Sequence, residues 1–322
     1  MSRRSVSPEV ASAPLTHPVG TVGAVPVDLS AAVQPPFDRV LRVHQTGRYD
    51  PTVATEPGGW WRATITPDGP GTVHIWWSAG GVDAEAWGPG ATWLVDRVPE
   101  LLGTADEPVV FEHGHPQVLE AQHRHPTYRL GRSRRLYHGL LPVVIGQRVT
   151  SGEAIRSWRQ LCLAAGEPAP GPRPLRLPPA PSALARQPYW WFHRFGIERK
   201  RADALRAVAA HAHHLDRLDE LGDAAEARRV LSTISGVGVW TIGMTLGPCL
   251  GDPDAVAVGD FWIPHAVCWA LAGEPRGSDD RMLELLEPYV GQRGRAVNLL
   301  FADGWRAPRF GPGRRIIPIA KW

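Results

Sequence analysis

The chain has 322 residues, 43% of them hydrophobic and 21% charged, with a formal net charge of +3, 14 tryptophans and 3 cysteines. This length suits about two globular domains, and the composition excludes collagen, a long coiled coil and a largely disordered protein. Because none of the cysteines forms a CxxC pair, a disulfide framework and a four-cysteine zinc or iron–sulfur site are also excluded.

The N-terminal segment, residues 1–36, is predicted to be a disordered tail. Ala, Pro, Ser and Val alternate in it without the apolar run of a signal peptide. Nowhere in the chain do enough apolar residues follow one another to make a membrane-spanning helix. We therefore expect a soluble, cytoplasmic protein.

The next segment, residues 37–112, is predicted to be an antiparallel α+β domain. Patterns typical of strands span residues 40–44, 60–65 and 72–77. The connection 66–71 between the last two has the Pro and Gly residues of a hairpin. Apolar residues at helical spacing follow over 91–102 and indicate a helix packed on the sheet.

The remainder of the fold, residues 113–305, is predicted to be helical, and residues 306–322 are a basic C-terminal tail. Helical patterns span residues 136–149, 153–165, 201–221, 224–234, 239–250, 261–271, 282–289 and 295–301. The Pro-rich residues 168–181 predict an extended loop.

Charge is distributed unevenly along the chain. Residues 28–112 hold five Arg and twelve acidic side chains, net −7, whereas residues 113–322 hold 28 basic and 19 acidic side chains, net +9. A polyanion should therefore bind the helical part. Within it, residues 121–152 contain six Arg and no acid, which indicates either a solvated basic face or a surface for such a partner.

Two glycines, Gly236 and Gly238, form a short turn between two helices. The first helix ends near Ile234 and the second begins at Val239. Glycines in such a turn let backbone N–H groups approach an anion, and the following helix N-terminus adds partial positive charge. Gly236, Val237 and Gly238 are thus predicted to hold a nucleic-acid phosphate, although Gly-Val-Gly alone is also typical of a helix C-cap.

Three segments in order resemble the helix-hairpin-helix DNA glycosylase superfamily. Residues 231–241 resemble its hairpin, and residues 258–260 (Val-Gly-Asp) resemble its Gly/Pro-rich loop, which ends in the catalytic aspartate. Residues 141–150, which include Gly-Gln at 146–147, resemble the Ile-Leu-Gly-Gln segment that opens its helical domain.

One missing residue narrows the resemblance. Members that cut the DNA backbone through a Schiff base carry lysine two positions after the second hairpin glycine, where this chain has Trp240. The cysteine count excludes the iron–sulfur members. What remains, over about residues 37–305, resembles the DNA-3-methyladenine glycosylase II family. It implies a monofunctional enzyme of base excision repair that flips and excises alkylated bases such as 3-methyladenine and 7-methylguanine.

The resemblance implies a role for each matching residue. Asp260 would stabilise the positive charge that develops on the deoxyribose as the N-glycosidic bond breaks. Besides the hairpin glycines, Thr241 and Gln147 would contact DNA, although Gln147 also suits a structural role. Arg148 occupies the position of the wedge that fills the base stack. Its guanidinium either stacks there or binds a phosphate while another residue fills the gap.

The base pocket should be aromatic, because stacking and cation–π attraction hold an electron-poor alkylated base. The candidates are Trp240, Trp262 and Phe301. Met244 stands where the family often has a pocket Tyr, and an aliphatic residue such as Leu300 replaces a pocket Trp. Lesion specificity is therefore the property that the resemblance transfers least.

No cofactor is expected, apart from a monovalent cation that the family binds through backbone carbonyls at the hairpin. Four histidines invite a zinc interpretation, but they lie in predicted loops without a supporting ligand pattern: His113, His115, His123 and His125. No metal is expected there.

The expected partner is double-stranded DNA that contains damaged bases, bound by a monomer associated with a bacterial nucleoid and not with a membrane. The basic tail 306–322 either contacts DNA or is disordered. Two alternatives remain open: a non-catalytic protein that binds damaged DNA, and a glycosylase for a deaminated base or a bulky alkyl adduct.

Overall fold

A five-stranded antiparallel sheet opens the structure, a computed structural model that describes residues 21–27, 37–78 and 81–309. In chain order the strands are β1 (Thr21–Pro26), β2 (Val53–Glu56), β3 (Gly59–Thr66), β4 (Gly69–Ser78) and β5 (Gly81–Trp87). Across the sheet they lie in the order β1, β5, β4, β3, β2. Helices make up the rest of the described chain, so the predicted α+β class is confirmed.

The predicted hairpin is formed by β3 and β4. The two strands pair as far as Thr66 and Gly69, which leaves Pro67 and Asp68 as the turn. The Thr66 hydroxyl donates to the Gly69 carbonyl at 2.8 Å and accepts the Asp68 N–H at 3.2 Å, so it satisfies two backbone groups of the turn.

The prediction that residues 1–36 are a disordered tail is wrong for one segment. Thr21–Pro26 forms β1, because its backbone pairs with β5 at what would otherwise be an open edge of the sheet. The segments 1–20 and 28–36 lie outside the described residues.

The predicted strand at residues 40–44 is also wrong, because most of it belongs to helix α1 (Phe37–Arg42). Phe37, Val40 and Leu41 are buried on one side, at helical spacing. The predicted helix at 91–102 is present but interrupted.

Helices follow the sheet to the end of the described chain. They are α2 (Ala91–Asp96), α3 (Val98–Leu101), α4 (Pro116–Arg124), α5 (Leu136–Ile145), α6 (Ser151–Ala165), α7 (Pro181–Ala185), α8 (Arg199–Ala210), α9 (Ala212–Leu221), α10 (Ala224–Leu231), α11 (Val239–Leu250), α12 (Ile263–Ala272), α13 (Asp279–Leu285) and α14 (Arg293–Ala302). Two 3-10 helices span Tyr189–Phe195 and Glu287–Tyr289. The predicted single helix at 201–221 is divided at His211, and α4 was not predicted.

Both faces of the sheet are covered. Trp60 belongs to a core with Trp93 and Leu94 of α2. Trp61, the next residue of β3, belongs to a separate cluster with Leu175 and Leu177. Both leucines lie in the Pro-rich segment, which forms the predicted extended loop. None of the helices in the described part of the chain has both the length and the apolar composition needed to cross a bilayer.

Ion pairs join the acidic sheet domain to the basic helical domain. Glu100 of α3 accepts from Arg132 at 2.7 Å and from Arg134 at 2.8 Å. Asp106 similarly accepts from Arg295 of α14 at 2.9 Å. Much of the basic run at 121–152 is therefore used within the protein and is not available to a polyanion.

A chain of buried hydrogen bonds also crosses the domain boundary. The hydroxyl of Thr64 lies 2.9 Å from Nδ1 of His138, whose Nε2 lies 3.3 Å from the hydroxyl of Thr52. Thr52 in turn donates to Asp50 at 2.8 Å. Because the Thr52 hydroxyl donates its hydrogen to Asp50, it can only accept from Nε2. Nδ1 lies 3.4 Å from the Arg62 guanidinium, which can only donate, so Nδ1 is an acceptor and His138 is neutral with its proton on Nε2.

This buried network predicts acid sensitivity. Burial and the nearby Arg62 hold the pKa of His138 and of His44 well below the usual value. When unfolded, both histidines take up protons below about pH 6.5, so the unfolded state binds more protons there than the folded state does. The contribution of the two histidines to the free energy of unfolding should therefore fall as the pH drops from about 7 to about 5, by up to ~1.4 kcal/mol per pH unit for each histidine. Burial raises the pKa of Asp219 to about 7 and also raises the pKa of Asp50, so these two carboxyls contribute in the opposite direction.

Urea unfolding at both pH values measures this dependence. His138→Gln removes one of the two titrating histidines, so the free energy of unfolding of the variant should lose less than that of wild type as the pH drops from about 7 to about 5, even if the variant is less stable overall. An equally steep dependence in the variant would show that His138 is not a source of the effect.

Candidate active site

A cleft of roughly 2730 Å³ runs through the helical domain and reaches the sheet domain. It is lined by residues of the turn after α5, of the hairpin before α11, of the loop before α12, and of α14. All the predicted site residues line it: Gln147, Arg148, Gly236, Val237, Gly238, Trp240, Thr241, Met244, Asp260, Trp262 and Phe301.

Helices α5 and α11 form one wall of the cleft and run in opposite directions. Near the end of α5, a Cβ added to Gly146 would lie 3.7 Å from the Trp240 ring at the start of α11. At the other end, a Cβ on Gly139 would lie 2.4 Å from the Cys249 sulfur. This antiparallel contact brings the turn after α5 beside the hairpin that precedes α11.

The two hairpin glycines differ in backbone conformation and in the space around them. Gly236 has φ +84°, and a Cβ there would lie 2.5 Å from the Cβ of Ala204 in α8, so only glycine fits. Gly238, the N-cap of α11, is extended with φ −99°, and a Cβ there would meet no atom within 4 Å. Its side-chain position is therefore open to the cleft.

The start of α11 has free hydrogen-bond donors. No side chain caps this helix, so the N–H groups of its first turn have no intrahelical acceptor. Val237, between the glycines, is only 5% exposed and anchors the turn in the core. The exposed backbone of Gly236 and Gly238 and the first N–H groups of α11 together offer donors that could bind an anion.

Gln147 links the turn after α5 to the hairpin and to the first turn of α11. Its Nε2 donates to the Gly236 carbonyl at 2.8 Å and to the Thr241 hydroxyl at 2.9 Å. Thr241 is 2% exposed, so its side chain is used inside the protein and cannot reach DNA in this conformation. These contacts favour the structural role of Gln147 and limit Thr241 to a backbone contact.

Asp260 is oriented by three N–H donors. Its Oδ1 accepts the backbone N–H of Trp262 at 2.7 Å and of Ile263 at 3.0 Å. Its Oδ2 accepts Nε1 of Trp240 at 2.9 Å. The carboxylate is half-buried at the start of α12, and one lone pair of Oδ2 can still face a reactant in the cleft.

The predicted pocket residues fall into two groups. Trp240 and Phe301 are half-buried in the cleft, and Arg306 stacks on one face of Phe301 at 5.1 Å. Met244 is 37% exposed and Trp262 is 52% exposed, which places Trp262 at the mouth of the cleft. Neighbouring Phe261, which was not predicted, is more exposed still.

Arg148 lies exposed in the turn between α5 and α6 with φ +58°, a left-handed conformation that few non-glycine residues adopt. A capping box begins two residues after it, at Thr150. The Thr150 hydroxyl accepts the Glu153 N–H at 3.3 Å, and the Glu153 carboxylate accepts the Thr150 N–H at 3.0 Å. The tight turn therefore presents Arg148 to the cleft.

The four histidines are divided between loop and helix. His123 belongs to α4, contrary to the predicted loop, because Pro116 starts that helix instead of preventing it. His115 approaches the Tyr289 hydroxyl at 3.1 Å, whereas His125 lies 3.6 Å from Asp303. Within residues 21–27, 37–78 and 81–309 no three His, Cys, Asp or Glu side chains are grouped as metal ligands.

No protein-family model and no curated protein matches this chain. Among solved structures, the 3-methyladenine DNA-glycosylase from Archaeoglobus fulgidus aligns over 88% of this chain and 98% of its own, with a TM-score of 0.68 and 16% identity. MBOgg1 in complex with a low affinity DNA ligand aligns over 86% and 93%, with a TM-score of 0.61 and 15% identity.

The 8-oxoguanine glycosylase/lyase from Clostridium acetobutylicum, in complex with double-stranded DNA containing cytosine opposite 8-oxoG, aligns over 84% of this chain and 91% of its own. The TM-score is 0.59 at 14% identity. Since similarity at such identities establishes the fold alone, the chain has the fold of these DNA glycosylases.

Proposed function

We propose that the protein is a DNA N-glycosylase that hydrolyses the bond between an alkylated base and deoxyribose in duplex DNA. The observation that carries this proposal is the placement of Asp260. Its carboxylate is held by three N–H donors in a cleft that also contains the hairpin with its N–H donors.

The hairpin would hold the damaged strand. A backbone phosphate placed at Gly236 and Gly238 accepts hydrogen bonds from the first N–H groups of α11 and meets the positive end of its dipole. The nucleotide beside this phosphate then rotates out of the duplex into the cleft, where its deoxyribose meets Asp260.

Asp260 would act by electrostatic stabilisation. As the N-glycosidic bond breaks, its electron pair leaves with the base and positive charge develops at C1′ of the sugar. The open lone pair of Oδ2 faces this charge and can orient a water molecule. That water adds to C1′ and loses a proton, so the products are the free base and an abasic sugar.

Trp240 favours hydrolysis of the glycosidic bond without cleavage of the DNA backbone. An indole there forms no Schiff base, and its Nε1 instead donates to Asp260. We expect the wild-type protein to leave an intact abasic strand that breaks only in alkali, and borohydride to trap no covalent protein–DNA complex.

A cationic alkylated base suits the side chains of the cleft. The Phe301 ring and the polarisable sulfur of Met244 line the cleft and can contact an electron-poor ring. Such a base also departs without prior protonation, so one carboxylate is sufficient. The similarity to the 3-methyladenine DNA-glycosylase from Archaeoglobus fulgidus supports 3-methyladenine as the lesion, whereas the similarity to the 8-oxoguanine glycosylase/lyase supports a neutral lesion as the second candidate.

Trp240→Phe tests how Asp260 is oriented. The variant keeps an aromatic ring but loses the hydrogen bond to Oδ2, so the single-turnover excision rate should fall about tenfold, while affinity for DNA is retained. An unchanged rate would show that the indole N–H has no part in placing the carboxylate.

A lesion panel tests the proposed function itself. Duplexes with 3-methyladenine, 7-methylguanine, a deaminated base, 8-oxoguanine or a bulky alkyl adduct are incubated with excess protein, and free base is quantified. Release of the methylated bases supports the proposal. Tight binding of the damaged duplexes without release of any base would instead identify a non-catalytic binding protein.

A further inference from the structure

Two adjacent aromatic side chains, Phe261 and Trp262, are exposed at the mouth of the cleft, and we propose that Phe261 fills the gap which an extruded nucleotide leaves in the base stack. This inference rests on the proposed function and assigns the side chain that replaces the extruded base. Phe261 is 71% exposed, and its ring packs edge-on against Trp262 with centroids 4.9 Å apart.

Exposure and position single out these two residues. Of the described residues, the large apolar side chains that are exposed and also line the cleft are Val43, Val239, Met244, Phe261 and Trp262. A side chain that replaces a base needs a flat apolar surface of comparable size, which valine and methionine do not offer. Phe261 is the more exposed of the two aromatic residues, at 71% against 52% for Trp262. Its ring contacts are edge-on, with Trp262 at 4.9 Å and with His265 at 5.8 Å between centroids, so neither neighbour is stacked on its ring.

The loop before α12 holds Phe261 close to the reacting atoms. Asp260 immediately precedes Phe261. The Asp260 carboxylate accepts the backbone N–H groups of Trp262 at 2.7 Å and of Ile263 at 3.0 Å. The carboxylate therefore fixes the turn that carries the aromatic ring. Because the extruded sugar lies at Asp260, the vacated place in the stack lies within one nucleotide of Phe261.

Arg148 then has a different task. Its side chain is exposed at the cleft, but it is charged and flexible, so it suits a phosphate better than the interior of a base stack. This division resolves the alternative that the sequence leaves open at the wedge position. The apolar filler comes from the α12 loop, and the arginine binds the backbone.

The experiment compares excision of one lesion, 7-methylguanine, from a duplex and from the corresponding single strand under single-turnover conditions. A single strand has no partner stack to stabilise, so loss of the filler should affect mainly the duplex. Phe261→Ala should lower the ratio of duplex to single-strand rates about tenfold or more. Phe261→Trp should restore most of it.

Two control variants sharpen the result. Trp190→Ala removes an aromatic residue that is 62% exposed but lies outside the cleft, and it should leave the ratio unchanged. If Phe261→Ala slows both substrates equally, or if Arg148→Ala alone lowers the ratio, Phe261 is not the filler. A wild-type protein that excises from neither substrate would overturn the proposed function and this inference with it.

Discussion

Asp260→Asn is expected to reduce base excision at least about a hundredfold, because the group that stabilises charge at C1′ becomes neutral. The amide keeps the size of the carboxylate, so the fold should be retained. It also places an NH2 group opposite either the Trp240 N–H or the two backbone N–H groups, which further disturbs the orientation of the side chain. Single-turnover kinetics on methylated duplex DNA measures the loss.

Two controls test whether the loss of excision by Asp260→Asn reflects weaker DNA binding or a general effect of removing one negative charge. Affinity for a duplex with an abasic-site analogue should stay within a few-fold of wild type, because the hairpin is untouched. Asp280→Asn makes the same charge change at an exposed position of α13 outside the cleft and should leave excision unchanged. If Asp260→Asn keeps more than about a tenth of the activity, Asp260 is not the stabilising group.

The second large effect is expected from alanine substitutions of the hairpin glycines, which should differ in their effect on the free energy of unfolding. Gly236→Ala forces a Cβ into contact with Ala204 at a left-handed backbone position. It should lower the free energy of unfolding by about 1–3 kcal/mol and disrupt the turn. Gly238→Ala has free space and an ordinary φ, and the lower entropy of its unfolded chain offsets the poorer preference of alanine for the N-cap, so its stability should stay within about 1 kcal/mol of wild type.

DNA affinity should fall in both variants, but for different reasons. In Gly238→Ala the fold is intact, and the added methyl group stands where a phosphate oxygen would approach the start of α11. We expect about a tenfold loss of affinity at constant salt, measured by fluorescence anisotropy beside urea unfolding. Wild-type affinity in Gly238→Ala would exclude the hairpin as the phosphate site.

Local signals in the sequence predicted the helix and the loop that carry Trp240 and Asp260. Helix α11 has the predicted bounds, because a glycine turn precedes it and a left-handed glycine, Gly251, ends it after Leu250. The loop that carries Asp260 also lies where the residue pattern indicated. In both places the determining residues are neighbours in the sequence.

The parts that were missed depend on distant partners. Strand β5 contains alternating acidic and small residues, and it is a strand because β1 and β4 pair with its two edges. The arginines at 132 and 134 belong to the basic run 121–152, but both donate to Glu100, which is more than 30 residues away in the sequence. Exposure of Phe261 follows from the turn that Asp260 holds, which residue identity does not indicate.

The most direct test of the central claim is the identification of what wild-type protein releases from duplex DNA treated with a methylating agent. Mass spectrometry of the soluble fraction should detect free 3-methyladenine or 7-methylguanine, and the DNA should retain abasic sites in unbroken strands. Asp260→Asn should release neither. Absence of any free base with the wild-type protein, under conditions in which it binds the same DNA, would contradict the assignment as a glycosylase of alkylated bases.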